Sequence, residues 1–120
     1  MERMDKINQM MKREVSDIIQ KELKDPRLEF VTITEAKVTK DLQHAKIYYS
    51  VLGNQEKMEK AAEGLNSARG FVRKLVGQRI RMRYTPDIEF VFDQSIEYSA
   101  RIEAALEEIN HEQRKNHQNN

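Results

Sequence analysis

Apolar residues open the chain at helical spacing. Met4, Ile7, Met11, Val15, Ile18 and Leu23 fall three to five positions apart, the stripe of an amphipathic helix. No Ser, Thr, Asp or Asn precedes Met4, so Asp5 is the first candidate cap and the expected helix start. In DPRL, residues 25–28, Pro26 disfavours helical geometry at Asp25 and should end the helix. The pattern then changes to FVTITEAKVT, residues 30–39, rich in β-branched residues and read as a strand. Val31 and Ile33 share one parity, whereas Ala36 and Val38 share the other. One extra residue near Glu35, a β-bulge, reconciles the two halves. KDLQ makes a turn, and HAKIYYSVL, residues 44–52, is a second strand with Ala45, Ile47, Tyr49 and Val51 on one face. The short connection predicts an antiparallel hairpin.

After Gly53-Asn54 the period is helical again, through Met58, Ala61, Ala62, Leu65, Phe71, Val72, Leu75 and Val76. Gly64 and Gly70 each weaken a helix by roughly 1 kcal/mol relative to alanine, which predicts two helices meeting near Ser67–Gly70. DIEFVFD, residues 87–93, is a third strand with Ile88, Phe90 and Phe92 toward the core. A final helix is expected from about Ser95 to Asn110, with Ile102, Leu106 and Ile109 as its stripe and Asp93 or Ser95 as its cap. HEQRKNHQNN, residues 111–120, has no apolar residue and is expected to be a disordered polar tail. The order α-β-β-α-α-β-α predicts one α+β domain over residues 1–110, a three-stranded sheet with helices mainly on one face.

Composition narrows the class. The 120 residues suit a single domain, and 38% hydrophobic with 34% charged residues allow a modest core. With no cysteine, disulfides, thiolate metal sites and cysteine nucleophiles are excluded. The charged N-terminal stretch has no apolar signal core, and no run reaches membrane-spanning length, so the expectation is a cytoplasmic protein without membrane contact. His44, His111 and His117 have no metal-ligand spacing, and Ser95 and Ser99 lack a nucleophile-elbow context. Asp41, Asp87 and Asp93 sit beside turns or strand ends, where Asp is common for turn chemistry. Neither GxGxxG nor GxxxxGK[ST] occurs. The reading is a protein with no catalytic residue, metal or cofactor.

Charge placement is the anomaly. The chain has 21 Lys+Arg against 20 Asp+Glu, yet residues 66–86 hold Arg69, Arg73, Lys74, Arg79, Arg81 and Arg83 and no acid. The remainder carries 15 basic against 20 acidic residues. Charge runs are usually solvated faces. Here the acids are missing only locally, and Arg outnumbers Lys five to one. The planar guanidinium suits phosphate and stacks on bases, so an RNA-binding face explains the run better. Ser67-Ala68-Arg69-Gly70 would form the kink at its start. There a helix N-terminus favours an anion and glycine permits close backbone approach. Lys12 and Arg13 of the first helix extend the expected face.

These pieces, in order, resemble the ribosome-binding factor A family, bacterial assembly factors of the small ribosomal subunit. The resemblance rests on DPRL, on VTITEAKVTKDLQHAKIYYSVLG with Asp41-Leu42 in its turn, on Ala68-Arg69-Gly70 followed by Arg73, and on TPDIEFVFDQS at residues 85–95. It covers residues 3 to about 108. It implies a type II KH-like fold in which Ala-x-Gly stands where ordinary KH modules have GxxG, so clamping of a single strand by a GxxG loop does not carry over. It also implies binding of the immature 30S subunit through 16S rRNA, support of late maturation and rRNA processing, a role in cold adaptation, and a functional link to assembly GTPases. The expected state is a monomer. The rival reading is a protein-interaction module acting on another assembly factor without RNA contact. That reading predicts weak salt dependence and an exposed apolar patch.

Overall fold

The structure, a computed structural model, describes residues 2–95 and 103–109. Its elements are α1 (Arg3–Lys21), a 3-10 turn (Pro26–Leu28), β1 (Val31–Val38), β2 (His44–Val51), α2 (Gln55–Arg79) and β3 (Asp87–Phe92). The sheet order is β1-β2-β3, with β1 antiparallel and β3 parallel to the central β2. A parallel neighbour requires a crossover, and α2 is that crossover. Helices α1 and α2 pack on one face, where Ile33, Ala36, Val38, Ala45, Ile47 and Ile88 meet Met11, Val15, Ile18, Leu65, Val72 and Val76 in one core.

The first helix starts at Arg3, ahead of Asp5, and Glu2 occupies the N-cap without a side-chain cap bond. Asp5 lies instead in the first turn, where a carboxylate complements the helix dipole. The helix ends at Lys21, before Asp25, and half-buried Leu23 packs against the core. Asp25 then caps the 3-10 turn. Its Oδ1 accepts from the Arg27 amide at 2.9 Å, and its Oδ2 meets Arg27 Nη2 at 2.8 Å. This turn seats Leu28 on α2, where a Cβ added at Gly64 would lie 3.0 Å from Leu28 Cδ2.

The bulge expected in β1 is present. Ile33 pairs with Tyr49 and Glu35 with Tyr48, so Thr34 is the extra residue. Val31 and Ile33 before it and Ala36 and Val38 after it are all buried, as the parity change requires. The bulged Thr34 donates its hydroxyl to Asp93 Oδ2 at 2.6 Å, tying the β1 edge to the end of β3. In the hairpin turn, Asp41 Oδ1 accepts from Thr39 Oγ1 at 2.6 Å and from the Gln43 amide at 3.1 Å. The Thr39 hydroxyl holds the Asp41 carboxyl below its ordinary value. Leu42 has φ 62°, a left-handed conformation that costs a non-glycine residue roughly 1–2 kcal/mol.

One expected boundary is corrected. Residues 55–79 form a single helix rather than two meeting near Ser67–Gly70. The core-facing positions Ala61, Leu65, Ala68, Val72 and Val76 keep one 3.6-residue period straight through Ala68-Arg69-Gly70. Their burial outweighs the two glycine costs. The same phase corrects Phe71, expected inward with Val72. It is rotated about 100° from the core stripe and is 44% exposed. Asn54 caps α2, accepting from the Lys57 amide at 3.0 Å.

Of the expected final helix, residues 94–95 and 103–109 are helical, and each residue of the 103–109 stretch is exposed. Asp93 begins it, accepting from the Ser95 amide at 3.0 Å. Ile102, Asn110 and the stretch 111–120 lie outside the described residues.

Candidate nucleic-acid interface

The basic run is folded into four different environments. The first is a cleft of about 570 Å³ lined by Gly70, Arg73, Lys74, Gly77, Arg83, Tyr84 and Thr85. None of these lining residues is acidic. Two glycines build it differently. A Cβ at Gly77 would lie 2.7 Å from Thr85 Oγ1, so glycine lets the segment before β3 lie directly on α2. Gly70 faces open space, with nothing within 4 Å of an added Cβ. Among the described residues no packing calls for glycine there. Arg73 reaches across to the segment before β3, donating to the Thr85 carbonyl at 3.0 Å and pairing with Asp87 at 3.3 Å. Arg83 stacks over the half-exposed Tyr84 ring, 5.4 Å from its centroid.

Gly70 and Arg73 also border a second, open cleft of about 1000 Å³. Asn66 and Arg69 line it from α2, and Lys37, His44, Lys46 and Tyr48 line it from the sheet. Lys37 Nζ stands 5.6 Å from the Tyr48 ring centroid. Asp87 and Glu89 contribute the acids of this cleft.

Arg79 is in a different situation. Its guanidinium donates to Asp17 at 2.7 Å, to Glu22 at 3.3 Å and to Glu14 at 3.4 Å, clasping α2 to α1. Asp17 raises the Arg79 pKa first, followed by Glu14 after an opposing desolvation. Asp17 in turn is held below the ordinary carboxylate range, by Lys21 first and then by Arg79. Arg13 sits beside this cluster, 3.5 Å from Glu14. Arg81 lines a third pocket with Arg3 and Arg83. Lys12 lies at the β1 edge, with Thr34, Glu35 and Ala36, while β3 forms the other edge of the sheet. Ala68 is half-buried against the core, and Ser67 is exposed on α2.

The fold therefore gathers Gly70, Arg73, Lys74 and Arg83 into one cleft, sets Arg69 beside it, and ties Arg79 to carboxylates. Sequence reasoning passed over Tyr84, Lys37 and Lys46. The signal for Tyr84 was present, an aromatic inside an acid-free basic stretch. Lys37 and Lys46 are brought near α2 only by strand pairing. Among the described residues no cluster of three or more His, Asp or Glu could hold a metal, and no helix is long and apolar enough to cross a membrane.

A three-stranded mixed sheet, two helices on one face and a basic cleft at the crossover helix define a small α+β domain of the type II KH-like class. A family model described as ribosome-binding factor A matches residues 3–106, and the chain belongs to that family. It is 52% identical over 109 residues to ribosome-binding factor A of Acetivibrio thermocellus, covering 90% of this chain and 89% of that one. The crystal structure of ribosome-binding factor A from Thermus thermophilus superposes with a TM-score of 0.67 at 27% identity, over 73% of this chain and 93% of that chain. A homology model of the Thermus thermophilus factor, fitted into the cryo-EM map of a 30S complex with that factor, superposes with a TM-score of 0.61 at 28% identity. It covers 72% of this chain and 91% of that chain.

Proposed function

We propose that this chain is a non-enzymatic assembly factor that binds the immature 30S subunit through 16S rRNA, with the Gly70–Tyr84 cleft as its contact. The observation that carries the reading is local: Arg73, Lys74 and Arg83 converge with exposed Tyr84 on a cleft that no acidic residue lines among the described residues. Guanidinium and ammonium groups neutralise phosphate, and a half-exposed ring offers a stacking surface to an unpaired base. Gly70 supports the same reading, because its bare α-carbon leaves room for a partner's backbone. Arg69 extends the contact along α2. The relative fitted into a 30S map supports the small subunit as the target. On this reading the factor acts as a cytoplasmic monomer. It holds a local rRNA conformation during late maturation and rRNA processing, including at low temperature, in functional linkage with assembly GTPases.

Co-sedimentation with purified small subunits across a salt series tests the reading, using a chain carrying Arg73→Glu, Lys74→Glu and Arg83→Glu whose fold is verified by circular dichroism. Binding should fall, and the dependence of log K on log salt should flatten by roughly 0.7–0.9 for each phosphate contact removed. Unchanged affinity and slope would sink the RNA contact and favour a protein-only partner.

A further inference from the structure

The third pocket is unlike the basic cleft although it shares Arg83 with it. It holds about 270 Å³ over an aliphatic and thioether floor of Ile7, Met10, Leu42, Ile80 and Met82. No ring lines it, so it offers a base nothing to stack on. Its rim carries Arg3, Arg81 and Arg83, and none of the three has a carboxylate partner among the described residues. An apolar floor with a cationic rim suits a protein segment that presents aliphatic anchors beside carboxylates.

The chain contains such a segment. Residues 103–109, EAALEEI, are helical and exposed, with Leu106 54% and Ile109 50% exposed. On a 3.6-residue period Leu106 and Ile109 share one side, and Glu103 and Glu107 form the adjoining stripe. The stretch carries three glutamates and no base. Its reach is sufficient. Nine residues lie between Asp93 and Glu103, and the ten Cα-to-Cα steps span at most about 33 Å. The start of β3 is tied to the turn bearing Leu42, through the Asp87 amide and the Gln43 carbonyl at 2.8 Å. The route back to the pocket is therefore little more than the length of β3, about 17 Å.

We propose that the helix at 103–109 docks intramolecularly in this pocket, Leu106 and Ile109 on its floor and Glu103 and Glu107 against its arginines, and thereby withholds Arg81 and Arg83 from RNA. In the structure residues 103–109 are exposed. The docked state is an acidic cover competing with phosphate for the same guanidinium groups. The docking stands apart from the functional reading above, and only the withholding rests on it.

The absence of cysteine makes a single spin label at Ala105→Cys clean in the full chain. With the label in its paramagnetic form, the amide signals of Met10, Leu42 and Met82 should broaden, and Leu106→Ser with Ile109→Ser should restore them. Unbroadened signals overturn the docking. So does equal broadening when labelled unenriched chain is mixed with unlabelled isotope-enriched chain, which would assign the pocket to a second copy. This measurement contains no RNA, so its failure is distinct from failure of the RNA contact. If the docking holds, the unlabelled L106S/I109S chain should bind small subunits about two- to tenfold more tightly, because a competing closed state no longer lowers the competent fraction. Unchanged affinity would overturn the withholding.

Discussion

Gly70 and Gly77 lie two turns apart on one helix, and the same substitution should move them in opposite directions. At Gly70 an added methyl meets nothing, so Gly70→Ala should raise stability by about 0.5–1 kcal/mol through helix propensity alone. If the bare α-carbon serves a partner, that stabler variant should bind small subunits more weakly. Thermal melting and co-sedimentation read the two effects separately. At Gly77 the methyl would press on Thr85, and Gly77→Ala should cost about 1–3 kcal/mol through overpacking, read by urea titration. Arg79 shows how a residue of the basic run can be structural. Because Asp17 has a depressed pKa in the folded chain, its contribution is fully present above the unfolded value of about 3.9 and is lost as pH falls through the folded value. Arg79→Gln should therefore lower stability near neutrality, and the gap to the parent chain should close below about pH 4. An acid titration followed by circular dichroism checks this, and a pH-independent gap would contradict it.

At the scale of elements, the β1 bulge separates what the core needs from what the edge needs. Removing Thr34 leaves Val31, Ile33, Ala36 and Val38 in strict alternation, and every other pairing with β2 can persist. A chain lacking Thr34 should therefore fold with the same sheet, losing chiefly the bond from Thr34 to Asp93. Removing Lys37 instead turns Val38 outward and should unfold the domain or cost several kcal/mol. Amide spectra of the two deletions distinguish the cases, and similar outcomes would show that the bulge does not set the register. The long helix makes a related point. Glycine content suggested a break, but the unbroken phase of Ala61, Leu65, Ala68, Val72 and Val76 was the stronger signal, since burial of a continuous stripe outweighs local propensity.

For the whole molecule, the near-neutral charge conceals segregation by folding. Six bases of one stretch divide into Arg69, Lys74 and Arg83 at the two basic clefts, Arg73 in the same clefts but paired with Asp87 and the Thr85 carbonyl, Arg79 matched by Asp17, Glu14 and Glu22, and Arg81 at the apolar pocket. Single substitutions should follow that division. Lys74→Ala and Arg83→Ala should each flatten the salt dependence of subunit binding by just under one power of salt concentration, about 0.7–0.9. Arg79→Ala should leave the slope unchanged while lowering stability, because its charge is already matched by carboxylates.

Periodicity and parity, which are local properties of the chain, determined the three strands, a bulge near Glu35, the first helix and the hairpin with its buried face. The acid-free run and the ordered motifs pointed to an RNA-binding member of a ribosome-factor family, and the family is the one found. The tertiary structure alone decided which side chains are paired among the described residues. Arg79 meets Asp17 across 62 residues of sequence, Arg73 turns back to Thr85 across 12, and Asn8 accepts from the Val38 amide across 30. The reason is physical. A side chain's burial follows from its own phase on a helix or strand, but its charge partner is set by which elements pack together, and that depends on the whole chain at once.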